Sequence, residues 1–447
     1  MNTASGQNDD DAGLPGSRTA SRLIGGWLFA CLLLIGCAAG PPLAVQAEPP
    51  LPEAAEPSGW LDTSPLPTVL RLDSYPANTK HLATTSAKIY LGNLSARIAQ
   101  LEKNYSAESR TDLAQALAMS LVHRAQILGG LNDSIRAGEI LREQVRLNPE
   151  HGPLLLAYAG WLARFHLFEL AHESLNRISS SNPLLARSMT ALKAEIDLAT
   201  GGYERLGAAF RQPQQGAGAD PYDLASRANA AVLQGDLDLA SRLYFEAQSR
   251  YRDVGPFPLA WLHTQQGIAL LRFGHYEQAV RFFRAARERL PQYYLATEHL
   301  AECLVEMGEM DAARELYVEV ITQTGNPEFI AALAGLERRA GRMDSAARWD
   351  LQADAGYQAL LKQYPEAYVQ HAAEYYLEIG DLEQAGALAH RNLELRQDVG
   401  SRLLVADVAR AANDPALACA QAALVAGTGL KPPELSALLH DLSCNDQ

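Results

Sequence analysis

The 447 residues carry 52 acidic against 38 basic side chains, a formal net charge of −14 and a pI near 5.3. That balance excludes binding to nucleic acid or anionic lipid by bulk electrostatics. A chain that is 48% hydrophobic but only 7% aromatic, rich in Ala and Leu, suits stacked helices rather than β-sandwiches.

Residues 1–37 have the layout of an export leader. Arg18 and Arg22 precede an apolar run, Leu23 to Gly36, too short to span a bilayer. Leu34-Ile35-Gly36-Cys37 resembles the bacterial lipobox, which implies acylation of Cys37 as the mature N-terminus. Val45-Gln46-Ala47, after Pro41 and Pro42, offers a small-residue signal peptidase site, with cleavage after residue 47 as the alternative. The lipobox is the favoured reading, because the apolar run ends on Cys37 and Ala38 follows; an uncleaved anchor is the third option. The expected location is the periplasmic side of the outer membrane, as a lipoprotein touching the membrane only through its N-terminal lipid or leader. A soluble periplasmic or secreted form is the alternative.

Residues 38–78 are rich in Pro, Glu and small side chains and predict a disordered tether with a coil reach of about 35 Å. Amphipathic helix follows over 79–117, with Ile89, Leu91, Leu94, Ile98 and Leu101 at helical spacing.

From 118 to 432 a repeat emerges. Gly-x-apolar-x-x-Ala occurs with Gly235, Gly274, Gly308, Gly341 and Gly380, and degenerate copies begin at Asn132, His166, Gly201 and Asn413. These nine anchors are spaced 34, 35, 34, 39, 34, 33, 39 and 33 residues apart. In the clearest unit a helix A, about Ala260 to Phe273, turns at Gly274 into a helix B, about Tyr276 to Leu290, stopped by Pro291. Small residues at Gly267, Ala279 and Ala286 let the two helices approach, with Tyr276 and Phe283 filling the space beside them. The two 39-residue spacings predict extended helices or longer loops near Tyr251–Phe257 and Tyr357–Pro365.

Those six residues, Gly267, Tyr276, Ala279, Phe283, Ala286 and Pro291, fit the eighth, seventeenth, twentieth, twenty-fourth, twenty-seventh and thirty-second positions of a 34-residue unit. In this the chain resembles the tetratricopeptide repeat. It departs from the pattern where Leu206 replaces a small residue and where Pro415 opens the last helix B. The resemblance implies an all-α, right-handed superhelical solenoid of antiparallel helix pairs, with ligands held in the concave groove of the A helices. The groove positions fall on Trp261, Thr264 and Arg272, on Glu298, Glu302 and Glu306, on Glu328, Arg338 and Arg339, and on Gln370, Glu374 and Glu378. The alternation Arg272, Glu306, Arg339, Glu378 has two readings: a ladder of ion pairs between units, or a mixed-charge peptide groove with Trp261 as aromatic anchor.

Residues 433–447 form a capping helix and tail, since a solenoid must cover its last apolar face. Folding this segment back on the preceding helix brings Cys444 to Cys419 and predicts a disulfide, while Cys303 fits a small buried apolar position.

No phosphate-cradling Gly-rich loop, Gly-x-Ser-x-Gly elbow, Cys-x-x-Cys or His-Glu-x-x-His is present. His263 and His299, on neighbouring A helices, are read as packing positions rather than a metal pair, so neither metal nor cofactor is assigned. The function expected is therefore a non-catalytic scaffold or adaptor of the bacterial envelope holding a protein or peptide. A carbohydrate-binding component of polysaccharide export and an accessory subunit of an envelope enzyme are the alternatives.

Overall fold

A computed structural model describes residues 82–179, 181–205, 220–442 and 444. The leader, Cys37, the cleavage position after 47, the 38–78 tether and Leu206 lie outside the described residues. Among the described residues there are nineteen helices and no strand. Helix α1 (Ala87–Ala107) leads into hairpins α2 (Thr111–Leu128)/α3 (Leu131–Leu147) and α4 (Gly152–Arg164)/α5 (Phe168–Asn176), then α6 (Pro183–Thr200). Six regular units follow: α7 (Pro221–Leu233)/α8 (Leu237–Arg250), α9 (Pro256–Arg272)/α10 (Tyr276–Arg289), α11 (Tyr294–Glu306)/α12 (Met310–Thr324), α13 (Pro327–Arg339)/α14 (Met343–Gln363), α15 (Pro365–Ile379)/α16 (Leu382–Leu395) and α17 (Val399–Ala411)/α18 (Pro415–Gly427). Helix α19 (Pro433–Leu442) ends the array.

Local chemistry sets the boundaries. Several A helices open with Pro in the first turn behind a capping side chain, as Asp220 and Asn326 accept from the backbone two residues on. Eight of the nine repeat anchors adopt positive φ, and the two without glycine are His166 and Asn413 at 58° and 60°. The exception is Asn132, which lies inside α3: Gly129 supplies the left-handed cap instead, so that turn falls three residues earlier. The two long spacings are met differently. The first becomes the 251–255 loop, whereas the second lengthens α14 to 21 residues. Pro415 is accommodated at the start of α18, where Asp414 accepts from the Leu417 amide.

Close approach needs the missing side chain both inside a unit and between units: a Cβ on Gly267 would sit 2.6 Å from the Phe283 ring of the same unit, and one on Gly138 2.1 Å from the Trp161 ring of the next. Between units, apolar faces merge into shared cores, and one core joins residues 98–233 to residues 399–438. Units distant in sequence therefore pack directly. Gln323 Nε2 donates to the Leu128 carbonyl, His166 Nδ1 meets the Glu366 carbonyl, and Val399 N–H donates to the Tyr203 hydroxyl, at separations of 195, 200 and 196 residues. Lys431 N–H likewise donates to the Leu233 carbonyl at 2.9 Å. The near-constant separation means that the superhelix closes a turn in five to six units and lays its second turn on its first.

At the C-terminus Cys419 of α18 is joined to Cys444 with Cα atoms 5.7 Å apart, and Cys303 is free and buried. No helix among the described residues is long and apolar enough to cross a membrane.

Candidate functional site

Closure of the superhelix decides what the A helices can expose. Every residue of α9 except Pro258 is buried. Trp261 is 4% exposed and packs against Tyr222, with ring centroids 5.6 Å apart, while Thr264 is fully buried and its hydroxyl donates to the Ala260 carbonyl. The expectation of Trp261 as an aromatic anchor in an open groove is corrected on this point: other units of the same chain occupy the concave side of α9. Arg272, predicted as one rung of the charge alternation, instead donates through Nε and Nη2 to both oxygens of Glu434 on α19, at 2.7 and 2.9 Å. Glu298 is buried as well.

Of the remaining predicted groove residues, Glu302, Glu306, Arg338, Arg339, Glu374 and Glu378 keep partial access to solvent on α11, α13 and α15, whereas Gln370 is buried and Glu328 stands in the first turn of α13 against His371. Arg339 pairs with Glu306 at 2.8 Å, and Arg338 with Glu378 at 3.0 Å and Asp350 at 2.9 Å. The rungs thus join neighbouring units, although Arg338 rather than Arg339 meets Glu378. Pairs this exposed contribute under about 1 kcal/mol each and hold geometry more than they stabilise.

Behind that strip lies an acid–histidine cluster. His299 Nδ1 stands 3.1 Å from Glu302 Oε2 and 3.0 Å from Glu298 Oε2, its ring stacked on Phe283 at 5.5 Å. Burial, reinforced by the charges of Glu302 and Glu328, holds the Glu298 carboxyl well above the usual carboxylate range. Two units on, His371 Nδ1 is 3.0 Å from Glu328 and 3.6 Å from Glu374. Burial opposes charge on that ring, but the Glu328 and Glu374 carboxylates prevail and push it up to about 10. Next to it the buried Arg396 guanidinium hydrogen-bonds Gln370 and Asn392 and lies 3.6 Å from Asp398.

His263, weighed with His299 as a metal pair, lies beside Phe282, and burial pulls its ring down to about 3, so it is neutral at pH 7. Among the described residues, Glu298, His299 and Glu302 form a group whose ligand atoms all lie within 4.8 Å of one another. Sequence reasoning found the glutamates through their repeat positions but missed His371. The available signal was a recurrence, Glu298-His299-x-Ala301-Glu302 and Gln370-His371-x-Ala373-Glu374, which sets a His and a Glu at the same register on two A helices, behind Glu in one and Gln in the other.

No curated protein matches the chain. A solved structure, the human IFIT1 dimer with PPP-AAAA, aligns over 74% of this chain and 77% of that one at 13% identity with a TM-score of 0.34. Residues 270–336, from the end of α9 into α13, match the tetratricopeptide repeat family. The chain is an all-α solenoid of tetratricopeptide-like helix pairs, and residues 270–336 are the stretch in which the family signature is written most clearly.

Proposed function

We propose that this protein is a non-catalytic scaffold that binds a protein or peptide partner of the bacterial cell envelope. Its docking strip is the accessible one at the ends of α11, α13 and α15: Glu302, Glu306, Arg338, Arg339, Glu374 and Glu378. The observation that carries the reading is the coincidence of the tetratricopeptide match over 270–336 with solvent-accessible paired charges on successive A helices. Such charges set register and choice of partner more than affinity. Export is supported by the Cys419–Cys444 bridge, which belongs in an oxidising compartment. The lipobox at Cys37 supplies the anchor in this reading.

The test is cross-linking capture from envelope extracts with the native chain and with a Glu306→Lys/Glu378→Lys variant. Loss of the native partners from the variant, with retention by an Arg287→Ala control on the outer face, is the expected result. Equal recovery by both overturns the strip as docking surface. Cys37→Ser should move the protein out of the membrane fraction, and persistence there overturns the lipoprotein reading.

A further inference from the structure

Helix α11 carries three potential ligand side chains that do not satisfy one another. The single Nδ1 of His299 lies 3.0 Å from Glu298 Oε2 and 3.1 Å from Glu302 Oε2. One ring nitrogen donates one hydrogen bond, and it serves Glu302. Glu298 Oε2, on a side chain only 3% exposed, is buried without a hydrogen bond and is aimed at the same point. A buried carboxylate oxygen left without a donor is costly, so native interiors pair it, protonate it or place a cation against it.

The geometry suits a cation. With bonds of about 2.1 Å, ligand atoms stand about 3.4 Å apart in a tetrahedral centre and about 3 Å apart at cis positions of an octahedral one; the two nitrogen–oxygen separations are 3.0 and 3.1 Å, and all three ligand atoms lie within 4.8 Å of one another. Two carboxylates and a neutral imidazole balance a divalent ion. Mixed oxygen and nitrogen donors favour a first-row transition ion over magnesium or calcium, which take oxygen alone. Phe283 stacked on His299 fixes the ring plane, and Glu302, 16% exposed, stands on the solvent side and leaves an entry path. Glu328 on α13 adds negative potential from the next unit. We propose that Glu298, His299 and Glu302 bind one divalent first-row transition ion, so that α11 carries a metal centre inside the solenoid that shares Glu302 with the edge of the strip.

The full chain, stripped with a chelator, is titrated with Co2+ followed by visible absorption, and then with Zn2+ in competition. Binding of one equivalent with a ligand-field spectrum of carboxylate and imidazole donors is expected. Glu298→Gln and Glu302→Gln, each of nearly the same shape as the native side chain, should each weaken Zn2+ binding by at least about 10-fold, and Glu319→Gln on the outer face should not. Cys303→Ala tests the neighbouring thiol as the true ligand. Absence of binding, binding untouched by both glutamate substitutions, or a thiolate charge-transfer band abolished by Cys303→Ala overturns the proposal. The native spectrum alone separates carboxylate–imidazole from thiolate ligation, should a variant fail to fold.

Discussion

Removing the carboxylate of Glu434 should undo the join between the middle of the solenoid and its last helix. Arg272 sits at the end of α9 with a side chain only 4% exposed, and it reaches across 162 residues to grip both oxygens of Glu434. Its remaining terminal nitrogen, Nη1, is buried without a hydrogen bond. Glu434→Ala therefore strands a guanidinium that has given up its hydration, a loss of about 3–5 kcal/mol. Replacing both partners by apolar residues of similar size, Arg272→Met with Glu434→Leu, removes the stranded charge and should cost far less than the single change, or stabilise. The more exposed pair Arg287–Glu319 is the reference: Glu319→Ala should cost about 0.2–1 kcal/mol, because nearly half of the Glu319 side chain keeps solvent and Arg287 is less deeply buried than Arg272. Urea unfolding followed by circular dichroism gives the three values, and hydrogen exchange of α9 and α19 locates the change. If Glu434→Ala costs no more than Glu319→Ala, Arg272 is not sealed by α19 and the closed superhelix is wrong at that point.

Three further outcomes follow from the same packing. The Cys419–Cys444 bridge closes a sequence separation of 25 residues, so its reduction should cost about 3.5 kcal/mol of unfolded-state constraint and expose α19 to proteolysis before the rest of the chain. Gly308→Ala should cost about 1–2 kcal/mol, the strain of a left-handed Cβ alone, because open space surrounds it, whereas Gly235→Ala should cost more, since its Cβ would lie 2.6 Å from the Lys431 carbonyl of the overlying turn. Equal thermal shifts for the two variants would refute the stacked turns. The folded-state pKa of His371 is raised above its unfolded value, so its ion pair with Glu328 contributes fully below about pH 6.5 and is lost as pH rises through about 10. Thermal melts of the native chain should fall across that window, and His371→Gln should flatten the fall.

The solenoid was legible because its determinants are local. A glycine that must adopt positive φ, a proline that stops a helix and a small residue where two helices touch each leave a mark at fixed spacing. Even the misplaced turn at Asn132 fits that account, since Gly129 offered a better left-handed cap three residues earlier. Sealing of the α9 face was not legible, because it draws on contacts far along the chain, such as Arg272 with Glu434, 162 residues away. Those contacts follow from the rotation accumulated over five to six units, and no single unit encodes it. The glycines show the difference. Gly308 and Gly341 read alike in sequence to Gly235, yet only Gly235 lies under a second turn of chain.

Closure also explains why the A helices carry charge so unevenly. An A-helix face turned toward open solvent tolerates any mixture of Glu and Arg, since each unmatched charge keeps its water. Once a second turn covers that face, each ionised group must find a partner inside the chain or change protonation. Arg272 finds Glu434, Arg396 finds Asp398 with Gln370, and His371 finds Glu328. Glu298 has only a share of an imidazole nitrogen already committed to Glu302. Among the described residues Glu195 Oε2 is likewise buried without a hydrogen bond, but only at Glu298 do a histidine nitrogen and a second carboxylate converge on the same point, and a metal titration of the native chain is the direct measurement of whether an ion completes it.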